Sequence, residues 1–477
     1  SEAGALAGEL GLPGLIVAYD DNAITIDGST DLAFTEDVGR RFESYGWDVA
    51  VVAEGDTDLA GILAGLQRAR SASGRPLLLK VKTTIGYGSL KAHTAAVHGT
   101  PLAADDLQQM RRAAGLPEDK GFNVPKKVAE HYRGRAGEGE RAATAWTGLL
   151  ARYGEAHLAE GRELKRRLGG ELPPGWDSCL DSAVAVPVAA GDAVLSALCA
   201  SLPELVGGSM DTAPALGTGC VLAPPPLTAQ EPSGRHLAFG AGREHAAAAC
   251  CVGLAAYSGI MPYWRCPLAE FANAWGAVRL SALGRFRILH VATYDGDDAV
   301  EFLALCRATP NLALFRPADA AEVGGAYTAA LVSTNRPTVV VLPPPGSEPL
   351  IRSSVVASAR GGYILADFPE GVAAAVVLVA SGPEVAACLA AQPLLAQDGV
   401  GARIVSLPSW ELFDEQTEEY RHSVLERLRL KQATKSAPKR SAVPIFYAEN
   451  AAPLGFERFA GIHLAVAGAS GGVSGSA

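Results

Sequence analysis

"LPGLIVAYDD" (residues 12–21), "GWDVAVVAEG" (46–55) and "RPLLLKVKTTIG" (75–86) are the stretches that decide the fold. Each is an apolar, β-branched run that ends in polar residues or glycine, which is typical of a buried strand. Between the last two lies "DLAGILAGLQRARSA" (58–72), which has the spacing of an amphipathic helix. Alternating strands and helices predict an α/β unit with a parallel sheet.

The same pattern occurs twice more along the chain. Strand-like runs begin near residues 235, 286, 312 and 336, and two further runs occupy 373–382 and 401–409 with a helical stretch between them. We therefore predict three consecutive α/β domains with mainly parallel sheets, the first of them incomplete. The predicted ranges are 1–178 (with a helical linker after residue 116), 179–350, and 351–477 with a disordered tail.

Composition excludes several classes of protein. The 477 residues carry a formal net charge of −10, which argues against nucleic acid as the main partner. No apolar run reaches the roughly 18 residues of a membrane span. The eight cysteines contain no C-x-x-C pattern, so we expect buried thiols in a reducing compartment rather than a zinc or disulfide site.

A cluster of oxygen-bearing side chains follows the first predicted strand. Asp20, Asp21 and Asn22 stand at its carboxyl end, which is where α/β folds place ligands. Carboxylate, amide and carbonyl oxygens are the groups that bind hard cations. The stretch from Asp20 to Val38 is therefore expected to belong to a binding site.

Ten segments in the same order make the chain resemble the transketolases, particularly the plant plastid type. They extend from about residue 5 to residue 426 and include "KVKTTIGYGS" (80–89), "VHGTPL" (97–102), "LVGGSMD" (205–211), "GAGREHA" (240–246) and "SWELFDEQTEEYRHSVL" (409–425). The resemblance implies a diphosphate-binding, a pyrimidine-binding and a C-terminal domain. It also implies a homodimer that holds thiamine diphosphate between its subunits.

The resemblance assigns roles to five residues of this chain. Asn22 and the carbonyl of Ile24 match two ligands of the divalent metal, His98 matches the histidine that reaches the reacting carbon, and Asp211 matches a contact to the sugar hydroxyls. Glu244 matches the glutamate that hydrogen-bonds the aminopyrimidine ring. A structural alternative for each stays open: Asn22 as a turn residue, His98 as retained ancestry, and Glu244 in an ion pair with Arg243.

Other positions depart from the family pattern. The third metal ligand, the Asp of a Gly-Asp-Gly motif, would precede residue 1. Where the family has aromatic residues that stack on the pyrimidine ring, this chain has Pro267, Glu270 and Asn273. Placing a charged, unpaired carboxylate against a buried ring costs free energy. Phe271 or Trp264 is a conceivable substitute, although in a different register.

The substrate side departs as well. The family's substrate loop is about a dozen residues shorter here, and Tyr294 stands where its leading histidine should be. Pro344 and Val188 occupy the positions of two arginines that clamp the substrate phosphate, and Ala215 replaces a serine. Arginine is suited to bidentate phosphate recognition, and neither proline nor valine replaces it.

These losses affect one cavity, whereas the strand and turn segments are largely retained. We therefore expect a catalytically inactive transketolase-like protein, a pseudoenzyme that acts as a structural or regulatory subunit and binds no cofactor. The expected partners are proteins that cover the incomplete first domain, in a homo- or hetero-oligomer. The alternative is an active enzyme with thiamine diphosphate and Mg²⁺ or Ca²⁺, whose missing half a partner chain supplies. The resemblance suggests the chloroplast, or else another reducing compartment.

Overall fold

The computed structural model describes residues 1–70, 74–185, 190–210, 225–293, 300–425, 443–452, 454–459 and 462–464. Within them lie three sheets of three, six and five strands, which are mainly parallel, and one short hairpin. The prediction of three successive α/β units is confirmed. Residues 1–162 with 228–230 form one compact unit, and 163–227 with 231–477 form a second unit that contains the two larger sheets. The domain limits at residues 178 and 350 stay a prediction.

The first sheet is parallel and has β5 at its centre. Ile16 pairs with Leu77 and Asp48 pairs with the same residue from the other side, so β1 and β4 are the edge strands. The strands of this unit are β1 Ile16–Asp21, β2 Ile24–Thr25, β3 Gly28–Ser29, β4 Asp48–Val52 and β5 Leu77–Lys82. Its helices are α1 Glu2–Glu9, α2 Val38–Ser44, α3 Leu59–Arg70, α4 Ala104–Ala113 and α5 Lys126–Ala156.

Apolar side chains remain exposed around this sheet. Val51 on β4 is 59% exposed, and Leu59 and Leu63 on α3 are 75% and 56% exposed. The helix α5 has no buried residue along its 31 positions. In parallel sheets, both faces are normally covered by helices. The described part of this unit therefore offers apolar surface to a further layer.

The second sheet contains six parallel strands in the order β10-β11-β9-β8-β6-β7. Its core contains Leu198, Tyr263, Val291 and Tyr327, all essentially inaccessible to solvent. The helix α6 Leu158–Leu168 leads into it. The strands are β6 Leu205–Ser209, β7 His236–Ala238, β8 Met261–Pro267, β9 Leu289–Thr293, β10 Ala313–Phe315 and β11 Thr338–Val341. The helices are α7 Leu180–Ala183, α8 Ala190–Ser201, α9 Glu244–Tyr257, α10 Leu268–Phe271, α11 Trp275–Leu283, α12 Val300–Arg307 and α13 Ala320–Val332.

Sequence analysis did not identify β6 or β8, although both are internal strands of this sheet. The β8 stretch "MPYWRCP" contains Pro262 and ends at Pro267, and proline normally argues against a central strand because it lacks an N–H donor. Here Pro262 pairs with Val206 on β6. In β6, Gly207 and Gly208 permit close approach, since a Cβ on Gly207 would lie 1.8 Å from the carbonyl oxygen of Tyr263.

The third sheet has the order β12-β14-β13-β15-β16. Strands β13 and β14 and the helix between them agree with the prediction, whereas β12, β15 and β16 were not predicted. β12 is antiparallel to β14, with Tyr363 opposite Ser406. The strands are β12 Tyr363–Ala366, β13 Ala374–Ala380, β14 Gly401–Ser406, β15 Ile445–Ala448 and β16 Ile462–Leu464. The helices are α14 Val355–Ser358, α15 Glu384–Gln397, α16 Trp410–Asp414 and α17 Glu418–Val424.

A buried network of charges joins the second and third sheets. Arg307, at the end of α12, donates two hydrogen bonds of 2.7 and 2.8 Å to Glu449, which follows β15. Arg316, just after β10, donates at 2.6 Å to Glu384 and lies 3.4 Å from Glu449. Burial alone would raise the pKa of Glu449, but the two guanidiniums more than offset this and its pKa lies below the usual range. The charges therefore compensate one another inside the protein.

The next two findings, on membrane-spanning helices and on cysteines, apply to the described residues only. None of their helices is both long and apolar enough to cross a membrane. Their cysteines are free thiols, and those at 199, 251, 266, 306 and 388 are buried. Burial raises the pKa of the Cys199 and Cys388 thiols to about 11, so these groups are protonated and unreactive near neutral pH.

Candidate functional site

The Asp20–Asn22 cluster lies where β1 ends. The side chains of Asp20 and Asn22 are engaged in local hydrogen bonds. The amide nitrogen of Asn22 donates to Asp20 at 3.2 Å, and the amide oxygen of Asn22 accepts the N–H of Ile24 at 3.1 Å. Thr83 donates its hydroxyl to the same Asp20. Ala23, which lies between Asn22 and Ile24, has a φ of 59°. Asn22 therefore folds the backbone into a turn of the kind that Asn side chains favour.

The remaining carboxylate of this cluster is neutralised by an ion pair. Asp21 lies 3.2 Å from the ammonium of Lys80 on the neighbouring strand β5, and both side chains are about one-fifth exposed. In the described part of the chain, no group of three His, Cys, Asp or Glu side chains is placed to hold a metal ion. Asn22 and Ile24 as metal ligands thus stay a prediction, and the turn supports the alternative.

His98 lies in a loop that follows β5 and is held at several points. Asp56 accepts the N–H of Thr84 at 3.0 Å, and the buried Asp106 accepts the hydroxyl of Ser89 at 2.6 Å. The Ser89 hydrogen bond lowers the pKa of the Asp106 carboxyl. Gly86 adopts a φ of 65°, and a Cβ there would lie 2.7 Å from Val97. The loop therefore has a defined path up to His98.

The imidazole of His98 has an unmet hydrogen-bonding atom. Its Nδ1 is buried and has no hydrogen-bond partner among the described residues. Buried polar atoms are rarely left unpaired in native structures. This orphaned nitrogen is the one observation in the first unit that favours a ligand, and it agrees with the role that the resemblance assigns to His98.

Glu244 is the first residue of α9 and is only 7% exposed. Its carboxylate accepts the N–H of Gly242 at 3.1 Å, and the start of a helix favours a negative charge. Gly240 and Gly242 have φ values of 75° and 74°, which allow the tight path into the helix. Arg243 donates to the carbonyl of Phe239 at 3.4 Å. Among the described residues Arg243 and Glu244 form no ion pair with each other, and the structural alternative for Glu244 stays a prediction.

The segment after β8 presents the three departures from the family pattern. Pro267 is half-buried, whereas Glu270 and Asn273 are exposed and lie three residues apart. They lie in consecutive helical turns, α10 and the 3-10 turn Ala272–Ala274, so both belong to one solvent-facing side. This surface carries a carboxylate and an amide instead of aromatic rings.

Trp264 and Phe271 do not replace those rings, contrary to the substitution considered from the sequence. Both side chains are completely buried, and their rings lie 4.7 Å apart at 31°. Phe271 also packs 5.0 Å from Phe302, and the indole nitrogen of Trp264 donates to His290. Burial lowers the pKa of His290 to about 3, so it is a neutral acceptor. The two rings form core packing and offer no face to a ligand.

The phosphate side is described only in part. Pro344 follows β11, and its carbonyl accepts the N–H and the hydroxyl of Ser347 at 3.2 and 2.8 Å, which makes a turn. Asp211, with Ala215, Val188 and Tyr294, lies outside the described residues. The assignment of Asp211 to a sugar contact stays a prediction.

Arg265 was not predicted from the sequence to have a role, and it is the one arginine or lysine in the described strands of the second sheet. It is 5% exposed on β8, and its guanidinium pairs with Asp192 on α8. Its Nε is buried without a hydrogen-bond partner among the described residues, as is the hydroxyl of Tyr327. The only signal in the sequence was a charged residue within an apolar strand.

Comparison with known proteins assigns most of the chain to three domains of one family. Residues 1–173 match "Transketolase, thiamine diphosphate binding domain", 185–345 match "Transketolase, pyrimidine binding domain", and 361–476 match "Transketolase-like TK C-terminal domain". Transketolase 1 of Saccharomyces cerevisiae is 41% identical over 89% of this chain and 65% of its own length. A chloroplastic transketolase of Craterostigma plantagineum is 37% identical over 89% of this chain and 84% of its own length.

Solved structures show the same likeness. The transketolase from Leishmania mexicana aligns with a TM-score of 0.88 and 35% identity, covering 98% of this chain and 69% of its own. A complex with sedoheptulose-7-phosphate from Pichia stipitis gives 0.86 and 36%, covering 97% and 69%. This chain spans about 65% of the length of the curated yeast relative.

Proposed function

The chain belongs to the transketolase family, and from that premise we propose that it is a non-catalytic member that serves as a structural or regulatory subunit of a larger assembly. Transketolases transfer a two-carbon ketol unit, and thiamine diphosphate supplies the reactive carbon. Because this chain spans only part of its yeast relative, the activity of that relative is not carried over. The proposal depends on residues that are present.

One observation carries the proposal: Glu270 and Asn273 lie exposed where the resemblance places the aromatic platform for the pyrimidine ring. An aminopyrimidine ring binds on aromatic and apolar surface. If such a ring covered Glu270, its carboxylate would lose hydration, at a cost of about 1–3 kcal/mol or more unless it were paired. The buried Trp264 and Phe271 provide no substitute. The residues of this segment therefore do not fit thiamine diphosphate.

We expect the isolated chain to show no heat of binding in calorimetry at millimolar thiamine diphosphate with Mg²⁺. The physical reason is the missing ring platform and the local hydrogen bond that already uses the amide oxygen of Asn22. The transketolase from Leishmania mexicana, titrated in the same buffer, is the positive control. A dissociation constant in the micromolar range or tighter would exclude the proposed non-catalytic role.

The alternative function is ketol transfer between sugar phosphates, with the remaining parts of the site supplied by a partner chain. Two observations favour it: Glu244 is buried at the start of α9 as a ring-binding carboxylate would be, and Nδ1 of His98 is unpaired. This alternative requires activity in a purified complex of the chain with its partner, together with loss of that activity in Glu244→Gln. An inactive complex would leave only the structural role.

A protein partner on the first unit is part of the proposal. Val51, Leu59 and Leu63 are exposed by more than half, and β1 and β4 are edge strands in the described sheet. Exposed apolar side chains beside an open strand edge are typical of surfaces that associate. The measurement below tests a second copy of the chain as that partner.

We expect the purified chain to have a mass larger than one monomer in size-exclusion chromatography with light scattering. The double variant Val51→Lys/Leu63→Lys is expected to shift the population towards monomer, because both substitutions place charge on the proposed contact. Val356→Lys changes an apolar side chain that is more exposed still, 73% accessible, in the second unit and serves as the control. A monodisperse wild-type monomer would contradict the subunit role.

For the compartment, we propose the plastid. Support comes from the chloroplastic transketolases of potato and Craterostigma plantagineum, which are 38% and 37% identical to this chain. Two yeast transketolases are slightly more similar, at 41% and 40% identity, so another reducing compartment is the alternative. Localisation of a tagged chain by fluorescence microscopy decides between them.

A further inference from the structure

Glu322 is a completely buried carboxyl group that connects α13 to the third sheet. Its Oε1 accepts the hydroxyl of Tyr363 at 2.8 Å and that of Ser406 at 2.6 Å, and its Oε2 accepts the N–H of Ala318 at 2.8 Å. Tyr363 on β12 and Ser406 on β14 are opposite one another in the antiparallel ladder. One carboxyl group therefore holds both strands against α13.

In the described residues, no cation is paired with Glu322. The nearest titratable carboxylate is Asp319, which caps α13, is 1% exposed and accepts the N–H groups of Glu322 and Leu350 and the hydroxyl of Ser353. Arg316 directs its guanidinium to Glu384 and Glu449 instead. In the described part of the chain, neither Glu322 nor Asp319 forms an ion pair with Lys, Arg or His.

Among the described residues, the Glu322 carboxyl group accepts hydrogen bonds from neutral donors, and the neighbouring Asp319 adds a negative charge. α13 contributes Asp319 at its start, β12 contributes the Tyr363 hydroxyl, and β14 contributes the Ser406 hydroxyl; Ser353 binds to Asp319. Three neutral hydrogen bonds help an ionised carboxyl, but burial without a counter-ion opposes it. Burial, with Asp319 adding to it, raises the pKa of Glu322 to about 7 despite those hydrogen bonds.

We propose that Glu322 is a proton-linked clasp: the contact between α13 and the β12–β14 pair is tight when the carboxyl group is protonated and loosens when it ionises. In the protonated form the proton is on Oε1 and is donated to the oxygen of Ser406, whose hydroxyl can rotate to accept it. In the ionised form both oxygens accept only, and the charge faces Asp319. This inference does not depend on the proposed function.

The direction of the pH effect follows from proton linkage. An opened contact exposes Glu322 to water, where its pKa returns to the ordinary glutamate value of 4.5. The closed state therefore binds more protons than the open state between pH 4.5 and about 7, and the contact loses stability as pH rises through this range. The opening equilibrium should increase by up to about tenfold per pH unit, and should stop changing above the higher value.

Hydrogen–deuterium exchange on the full-length chain tests the clasp. Protection of the β12 and β14 amides, corrected for intrinsic exchange, is measured from pH 5 to 8.5 in the wild type and in Glu322→Gln. The glutamine amide imitates the protonated carboxyl group in shape but does not titrate. We expect the protection to fall with pH in the wild type and to stay level in the variant. Glu419→Gln, an exposed position on α17, is the matched control and should behave as the wild type does.

Two outcomes would overturn the proposal. One is an equal pH dependence in the wild type and Glu322→Gln. The other needs only the wild type, and therefore applies even if the variant does not fold. In it, the amides of β12 and β14 change their protection with pH no differently from those of Val377–Ala380 on β13. That stretch has no hydrogen bond to Glu322 among the described residues. An infrared band of a protonated carboxyl group at pH 6, absent in Glu322→Gln, would support the clasp.

Discussion

Glu449→Ala is expected to reduce the free energy of unfolding of the second unit by about 3–5 kcal/mol. The substitution leaves Arg307 without the partner of its two hydrogen bonds and removes one of two carboxylates near Arg316. Both guanidiniums are buried, at 6% and 3% side-chain exposure. An uncompensated buried charge costs more than the pair contributes, and this is why the loss is large. Urea denaturation followed by circular dichroism measures it.

The pH dependence of the wild type provides a second measurement of the same network. Because the pKa of Glu449 is lowered in the folded protein, its contribution is present above the unfolded value and is lost as pH falls through the folded value. Glu415→Ala removes an exposed pair with Arg336 and should cost about 1 kcal/mol or less. Equal losses in Glu449→Ala and Glu415→Ala would contradict a stabilising role for the buried network.

Trp264→Ala is expected to cost about 3–5 kcal/mol of unfolding free energy, because it leaves a cavity in a closely packed aromatic cluster. The indole is fully buried against Phe271, and the change also leaves the ring of His290 without its Trp264 donor. The other ring nitrogen of His290 keeps its contact with Ser281 at 3.1 Å. Thermal unfolding by scanning calorimetry measures the loss.

This variant also separates core packing from ligand binding. If Trp264 belonged to a ring-binding surface, its removal would change cofactor affinity with little effect on stability. Trp146→Ala on the exposed face of α5 is the control, since that indole is 57% accessible and its loss should stay within about 0.5 kcal/mol. A loss as small in Trp264→Ala as in Trp146→Ala would show that the buried packing described here is wrong.

Periodicity and composition were sufficient for the fold class but not for every strand. β11 and β13 are apolar runs without a charged residue and are largely buried, as is typical of strands covered on both faces. β8 was missed because Pro262 and Arg265 interrupt its apolar pattern, and its hydrogen bonds are determined by the neighbouring strands β6 and β9. That information is tertiary and is absent from the local pattern.

The candidate site shows the same division. The motif around Glu244 could be located from the sequence, and its burial at the start of α9 agrees with the assigned role. A turn at Asn22 was one of the alternatives open from the sequence, whereas the burial of Phe271 and the ion pair of Arg265 with Asp192 could not be foreseen. The last joins residues 73 positions apart, so only the folded chain reveals it.

The sequence separation within the Arg307–Glu449 pair has a consequence for synthesis. The two residues are 142 positions apart, so a growing chain exposes nearly the whole second sheet before the counter-ion of Arg307 emerges. Contacts of such separation form late, because a long loop must close first. A ribosome-bound chain that has not reached residue 449 lacks the carboxylate that accepts both hydrogen bonds of Arg307. The segment after β15 therefore supplies the counter-ion of Arg307 only after all strands of the second sheet have been synthesised.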